Sequence, residues 1–224
     1  MSYIVANWKM NMSLINVNDW LVSFLKLSEK LETEDEIIVA PTFTYMPFAT
    51  PYAEKAGFRL AAQDVSAEDK GAHTGETGAF QIRDFCKYGI VGHSERKEFP
   101  EFVAKKAKQC LQNDIVPIIC FVDTSSLEVY KNFSDTAIFA WEDPSNISKN
   151  GVYNPKDSAE IQEGANKIRA ILKKDTPVLY GGSVNRDNVE EIARISELNG
   201  VLVGNASTDP DHFFDIITKY QTQN

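Results

Sequence analysis

Short apolar runs alternate with longer amphipathic stretches along the whole chain. The runs are Tyr3–Asn7, Glu36–Pro41, Arg59–Gln63, Gly89–Gly92, Val116–Phe121, Ala137–Trp141, Pro177–Tyr180 and Gly200–Val203. Most are rich in Val, Ile and Ala, as strands buried on both faces are. Between them lie helical patterns. In Val17–Leu31, the residues Val17, Leu21, Phe24, Leu25 and Leu31 form one stripe, with Lys and Glu opposite. Met46–Ala56 is shorter and carries Pro47 and Pro51 near its start. Gly78–Tyr88 and Phe102–Asn113 are clearer, while Ser125–Asn132 reaches only about two turns. Pro155–Lys173 aligns Ile161, Ala165, Ile168 and Leu172, and gathers basic residues at its C-terminal end. Val189–Leu198 and Asp211–Tyr220 complete the series.

Eight strands, each followed by a helix, predict a parallel α/β protein. A doubly wound sheet and a closed (β/α)8 barrel both fit this pattern. Shared among eight units, 224 residues leave 28 per unit. That is too tight for a second domain, so residues 1–224 read as one domain. One connection, about Asp64–Thr77, is long and lacks periodicity. A loop of that length is expected to be functional or an interaction element.

Composition narrows the classes. With 43% hydrophobic and 25% charged residues the chain is not of the disordered type. Lys plus Arg number 23 against 32 Asp plus Glu, a net charge of −9. This charge argues against nucleic acid or an anionic membrane as the main partner. It leaves room for a small anion held by local N–H groups and one Lys. Cys86, Cys110 and Cys120 are odd in number and form no C-x-x-C pair. Neither a disulfide framework nor a zinc site is indicated, and a reducing, cytoplasmic compartment fits best. No signal peptide and no membrane span is read from the sequence.

In parallel α/β folds, ligands collect at the carboxyl ends of the strands. There the sequence places Asn7-Trp8-Lys9, Gly92-His93-Ser94-Glu95-Arg96, Glu142-Asp143-Pro144, Gly181-Gly182-Ser183 and Gly204-Asn205. Taken singly, each is an ordinary turn or solvated strand end. Together they supply a cation, an imidazole, a carboxylate and two phosphate-sized turns. Lys9 can stabilise an oxyanion, Glu142 can act as a general base, and His93 can polarise a carbonyl. Ser183 and the small residues around it suit a phosphate. His73 and His212 are expected at the surface, and Met10 and Met12 in packing.

These segments resemble the triosephosphate isomerase family. The resemblance is carried by Asn7-Trp8-Lys9-Met10-Asn11, Gly92-His93-Ser94-Glu95-Arg96, Tyr180-Gly181-Gly182-Ser183-Val184-Asn185 and Val201-Leu202-Val203-Gly204. Gly71-Ala72-His73-Thr74-Gly75-Glu76 is similar to the family's long third loop. The resemblance implies a (β/α)8 barrel that interconverts dihydroxyacetone phosphate and D-glyceraldehyde 3-phosphate without cofactor or metal. It implies Glu142 as base, neutral His93 and Lys9 on the enediolate oxygens, Asn7 orienting them, and Glu95 as a supporting partner. Ser183, Gly204, Asn205 and Ser148 would hold the phosphate. A loop after Glu142 would close over the substrate. Thr74 would contact a second copy, in a homodimer formed through the 64–77 loop.

Three departures stand out. After Glu142 the family's usual Pro and Ile-Gly-Thr-Gly loop is replaced by residues 143–151, with Ile147 at the apolar tip and Ser148 where Gly is usual. Asn205 replaces a frequent Gly and is expected to tolerate positive φ. Cys120 lies only 22 residues before Glu142. That is similar to compact archaeal members, which use the region for tetramer contacts, and it removes most of the fifth helix. The diverged loop also raises an alternative, a barrel that binds a phosphorylated ligand with impaired turnover.

Overall fold

The computed structural model describes residues 1–142, 146 and 154–221. Its strands are β1 (Tyr3–Asn7), β2 (Glu36–Ala40), β3 (Arg59–Ala62), β4 (Tyr88–Val91), β5 (Val116–Phe121), β6 (Ile138–Trp141), β7 (Val178–Tyr180) and β8 (Gly200–Val203). The helices are α1 (Leu14–Ser28), α2 (Met46–Ala56), α3 (Ala79–Ile82), α4 (Pro100–Gln112), α5 (Leu127–Tyr130), α6 (Ser158–Arg169), α7 (Val189–Ala193) and α8 (Pro210–Gln221). All neighbouring strands pair in parallel, and β8 returns to β1 through Tyr3↔Gly200, Ile4↔Val201, Val5↔Leu202 and Ala6↔Val203. That pairing decides between the two architectures. The sheet is a closed eight-stranded barrel, as the family resemblance implies.

The strand alternation builds two cores. Val5, Ile38, Ile90, Ile118, Cys120, Leu179 and Leu202 point inward and fill the barrel. Their neighbours, such as Ile4, Ala6, Val39 and Val91, point outward under the helices. There Trp20 stacks on Phe24 and approaches Phe213, so α1 and α8 close over the β1–β8 seam. The Trp20 indole N–H donates to the Ser207 carbonyl at 3.0 Å. This bond fixes α1 to the chain leaving β8.

Helix boundaries depart from the periodicity where turns carry apolar side chains. The α1 helix starts at Leu14 because Ser13 and Asn16 form a reciprocal cap. Exposed Leu14 and Ile15 hid that start. The α7 helix stops at Ala193, yet Ile195 and Leu198 remain buried in the following turns. Tyr88, which continues the third helical pattern, instead opens β4 and pairs with Ala61 and Val116. Its hydroxyl donates to Glu36 at 3.0 Å. The fifth unit is short, with α5 flanked by single 3-10 turns at Thr124–Ser126 and Lys131–Phe133.

Candidate active site

The carboxyl ends of β1, β4, β6, β7 and β8 surround one cleft. Its lining includes Asn7, Lys9, His93, Glu142, Ser183 and Gly204. Asn7 is the last residue of β1, and its buried Oδ1 accepts the Lys9 N–H at 3.1 Å. Lys9 has φ of +51°, a conformation that costs a non-glycine residue about 1–2 kcal/mol. Gln63 offsets that strain, with its Nε2 donating to the carbonyls of Lys9 at 3.0 Å and Ala40 at 2.8 Å. The Lys9 ammonium reaches Glu95 at 2.7 Å. Gly204 borders the same side chain, where a Cβ would lie 3.4 Å from Lys9 Cε.

The chain leaves β4 through Gly92, whose φ is +74° and whose Cβ would stand 2.7 Å from Val103 Cγ1. Only glycine fits there. The following 3-10 turn, Ser94–Arg96, aims its N–H groups back at the site. The Glu95 N–H donates to His93 Nδ1 at 3.2 Å. An Nδ1 that accepts cannot carry the ring proton, so that proton sits on Nε2. Nε2 faces Glu142 Oε1 at 2.9 Å. The other carboxylate oxygen, Oε2, accepts the Ser94 N–H at 2.9 Å. Glu142 is 2% exposed, and both of its oxygens are thus held by donors on the β4 side. For the Glu95 carboxyl, burial works toward a higher pKa. The Lys9 hydrogen bond and charge outweigh it and hold the group below its usual range.

At β7 two glycines make room. A Cβ at Gly181 would lie 3.1 Å from Glu142 Cγ, and one at Gly182 would lie 2.3 Å from the Tyr180 hydroxyl. Ser183 follows with φ of +46° and a buried side chain. Its Oγ accepts the Asn154 N–H at 3.2 Å, which leaves the hydroxyl proton to be donated elsewhere. At β8, the hydroxyl of Ser207 anchors the turn that begins at Asn205 by donating to the Gly204 carbonyl at 2.7 Å.

The sequence-predicted set divides accordingly. Asn7, Lys9, His93, Glu142, Ser183 and Gly204 meet in the cleft. Glu95 holds Lys9 from an adjoining hollow lined also by Met10, Gln63, Asp64 and Arg96. Asn205 stands next to Gly204 in a 3-10 turn and has no positive φ. Of Ser183 and Asn205, it is Ser183 that takes the left-handed conformation. Thr74 lines neither the cleft nor the adjoining hollow and stands in the exposed stretch Glu68–Glu76. Ser148 and Ile147 lie outside the described residues. Met10 is 93% exposed rather than packed. His73 is exposed as expected, but His212 is half-buried and bonded to the Arg186 N–H.

Sequence reasoning missed two contributors. Ser94 acts through its backbone N–H, which no side-chain motif reports. Gln63 stands at the end of β3, where its position among strand ends was the available signal.

Comparison with known proteins gives the family. The family model "Triosephosphate isomerase" matches residues 2–220. The triosephosphate isomerase of Aquifex aeolicus is 33% identical over 97% of this chain and 98% of its own length. That of Mycoplasmopsis pulmonis is 34% identical over 96% of each. That of Prochlorococcus marinus subsp. pastoris is 34% identical over 95% and 96%. With matches that run nearly end to end in both partners, this chain belongs to the triosephosphate isomerase family and is an isomerase enzyme.

Proposed function

We propose that this enzyme converts dihydroxyacetone phosphate to D-glyceraldehyde 3-phosphate, and the reverse, by moving one proton through an enediolate. The observation that carries the reading is the buried Glu142 carboxylate bonded to His93 Nε2–H at 2.9 Å. Substrate oxygens compete for that same N–H. When they take it, Glu142 is released toward the carbon beside the carbonyl and removes its proton. His93, neutral because Nδ1 is occupied by the Glu95 N–H, donates to the developing oxyanion. Lys9 opposes the negative charge, and Asn7 orients the same oxygens. Preorganised donors aimed at developing charge are worth more than donors in bulk water. Ser183 donates its free hydroxyl proton to the phosphate, with the N–H groups of Gly204 and Asn205 beside it. Ser148 is proposed for the same role on the resemblance alone. No cofactor or metal enters this scheme. A barrel that only bound a phosphorylated ligand would have no use for a buried carboxylate on His93.

We read residues 1–224 as one domain and the working form as a homodimer. Support comes from the exposed 68–76 stretch and from the hollow beside Lys9 and Met10 that could receive Thr74 of a second copy. A reducing cytoplasm suits three buried free thiols. No helix among the described residues is long and apolar enough to cross a membrane.

The test is a coupled assay of glyceraldehyde 3-phosphate conversion. Replacing Glu142→Gln is expected to lower kcat by about 10²–10⁴-fold, the usual contribution of a positioned base. Undiminished turnover in that variant overturns the assignment.

A further inference from the structure

Three side chains of α8 converge on one residue of the β7–α7 turn. His212 Nε2 accepts the Arg186 N–H at 3.1 Å. Lys219 Nζ donates to the Arg186 carbonyl at 2.8 Å. Asp215 Oδ2 lies 2.7 Å from Arg186 Nη1. Positions 212, 215 and 219 are three and four residues apart, so they share one helical face. His212 is itself placed by its own N–H, which donates to Asp209 Oδ1 at 2.7 Å. Burial keeps the imidazole below its usual pKa, against Asp209, Asp187 and Asp215 and with Arg186 beside it. The ring is therefore a neutral acceptor at neutral pH.

Arg186 closes the turn that Ser183 opens. Within the turn, Asn188 Nδ2 and Asn185 Nδ2 donate to the Ser183 carbonyl at 3.1 and 3.3 Å. The Asn185 N–H donates to Asn188 Oδ1 at 2.9 Å. These bonds shape the turn but move with it. A left-handed serine persists only where its surroundings over-determine it. The α8 contacts supply an external hold, on both backbone groups and the side chain of one residue.

We propose that His212, Asp215 and Lys219 are positioning residues for the substrate phosphate, gripping Arg186 so that Ser183 is held ready to donate. The inference rests on the reading of Ser183 as a phosphate ligand. The test uses the full chain, with inorganic phosphate as a competitive inhibitor alongside steady-state kinetics. His212→Ala removes the acceptor and is expected to raise KM and the phosphate inhibition constant by about threefold or more, the worth of one hydrogen bond. The same variant should keep kcat within about twofold. His212→Gln restores an acceptor and should return both constants to near wild type. Lys219→Met, at a half-exposed side chain, should raise them in the same direction while leaving the thermal unfolding curve intact.

Adding His212→Ala to Ser183→Ala should cost less than the two separate effects multiplied. Unchanged phosphate inhibition in both His212→Ala and Lys219→Met overturns the proposal. So does a Gln variant as impaired as the Ala variant. If Ser183→Ala alone leaves phosphate inhibition unchanged, the phosphate reading of Ser183 fails first and takes this inference with it.

Discussion

Lys106 carries a charged group into the interior. It is 2% exposed, and its ammonium lies 2.6 Å from Asp64 and 2.7 Å from Glu98. Arg96 completes the cluster, 2.9 Å from Asp64 and 3.1 Å from Glu98. The cluster ties the start of the 64–77 loop, the turn behind His93 and the helix α4. Burial raises the Asp64 carboxyl, against the lowering effect of Lys106 and Arg96. Replacing Lys106→Met removes one partner from a buried set, an error worth about 3 kcal/mol at neutral pH. Without the Lys106 charge to oppose burial, the folded variant binds a proton on Asp64 more tightly than the unfolded chain does. Its deficit should therefore shrink as pH falls into the carboxylate range. Denaturant unfolding at two pH values checks both the size and the sign. In sequence, Lys106 reads as one of several lysines on an amphipathic helix. Its partner Asp64 is 42 residues away, a separation that local patterning does not sense. The chemistry at Lys9, His93 and Glu142 was legible for the opposite reason, because each follows an apolar run directly.

Between elements, the contact of β6 with α6 sets the strand end that carries Glu142. Trp141 packs on Tyr180, with ring centroids 5.5 Å apart, and over Gly164 of α6. A Cβ at Gly164 would stand 2.1 Å from Trp141 Cη2. Two effects compete in Gly164→Ala. Helix propensity favours Ala by about 1 kcal/mol. Overpacking against a buried indole costs about 1–3 kcal/mol, and more when the neighbour cannot give. The clash is severe and the indole is pinned on both sides, so the variant should unfold at lower temperature and lose activity through displaced Glu142. In a Trp141→Phe background the clash is gone, and Gly164→Ala should become stabilising. Calorimetry of the four proteins decides the point. The helical pattern at 155–173 was visible in sequence. The need for glycine at 164 was not, because it comes from a ring on another element. The misplaced ends of α3 and α7 have a related origin, since apolar residues in packed turns mimic helical periodicity.

For the molecule as a whole, closure of β8 on β1 turns eight separate strand ends into one ring around a cleft. The net charge of −9 coexists with a mouth that holds Lys9, His93 and turn N–H groups. At this scale lies the proposed dimer. If Thr74 of one copy docks beside Lys9 of the other, then Thr74→Arg sets like charges together and should weaken association by about tenfold or more. Sedimentation velocity across a dilution series reads this directly. A wild type that sediments as a monomer throughout contradicts the dimer.

The sequence by itself determined the succession of strands and helices and the residues standing at each strand end. Both are local properties, written in periodicity and in residue identity next to each apolar run. Periodicity left closure of the sheet open and the family resemblance implied it; the tertiary structure showed the β8–β1 pairing and set the His93 Nδ1 against the Glu95 N–H. It alone set Lys106 among two carboxylates and Arg186 in the grip of α8. Each of these depends on distances between groups far apart in the chain, and such distances exist only once the barrel has formed.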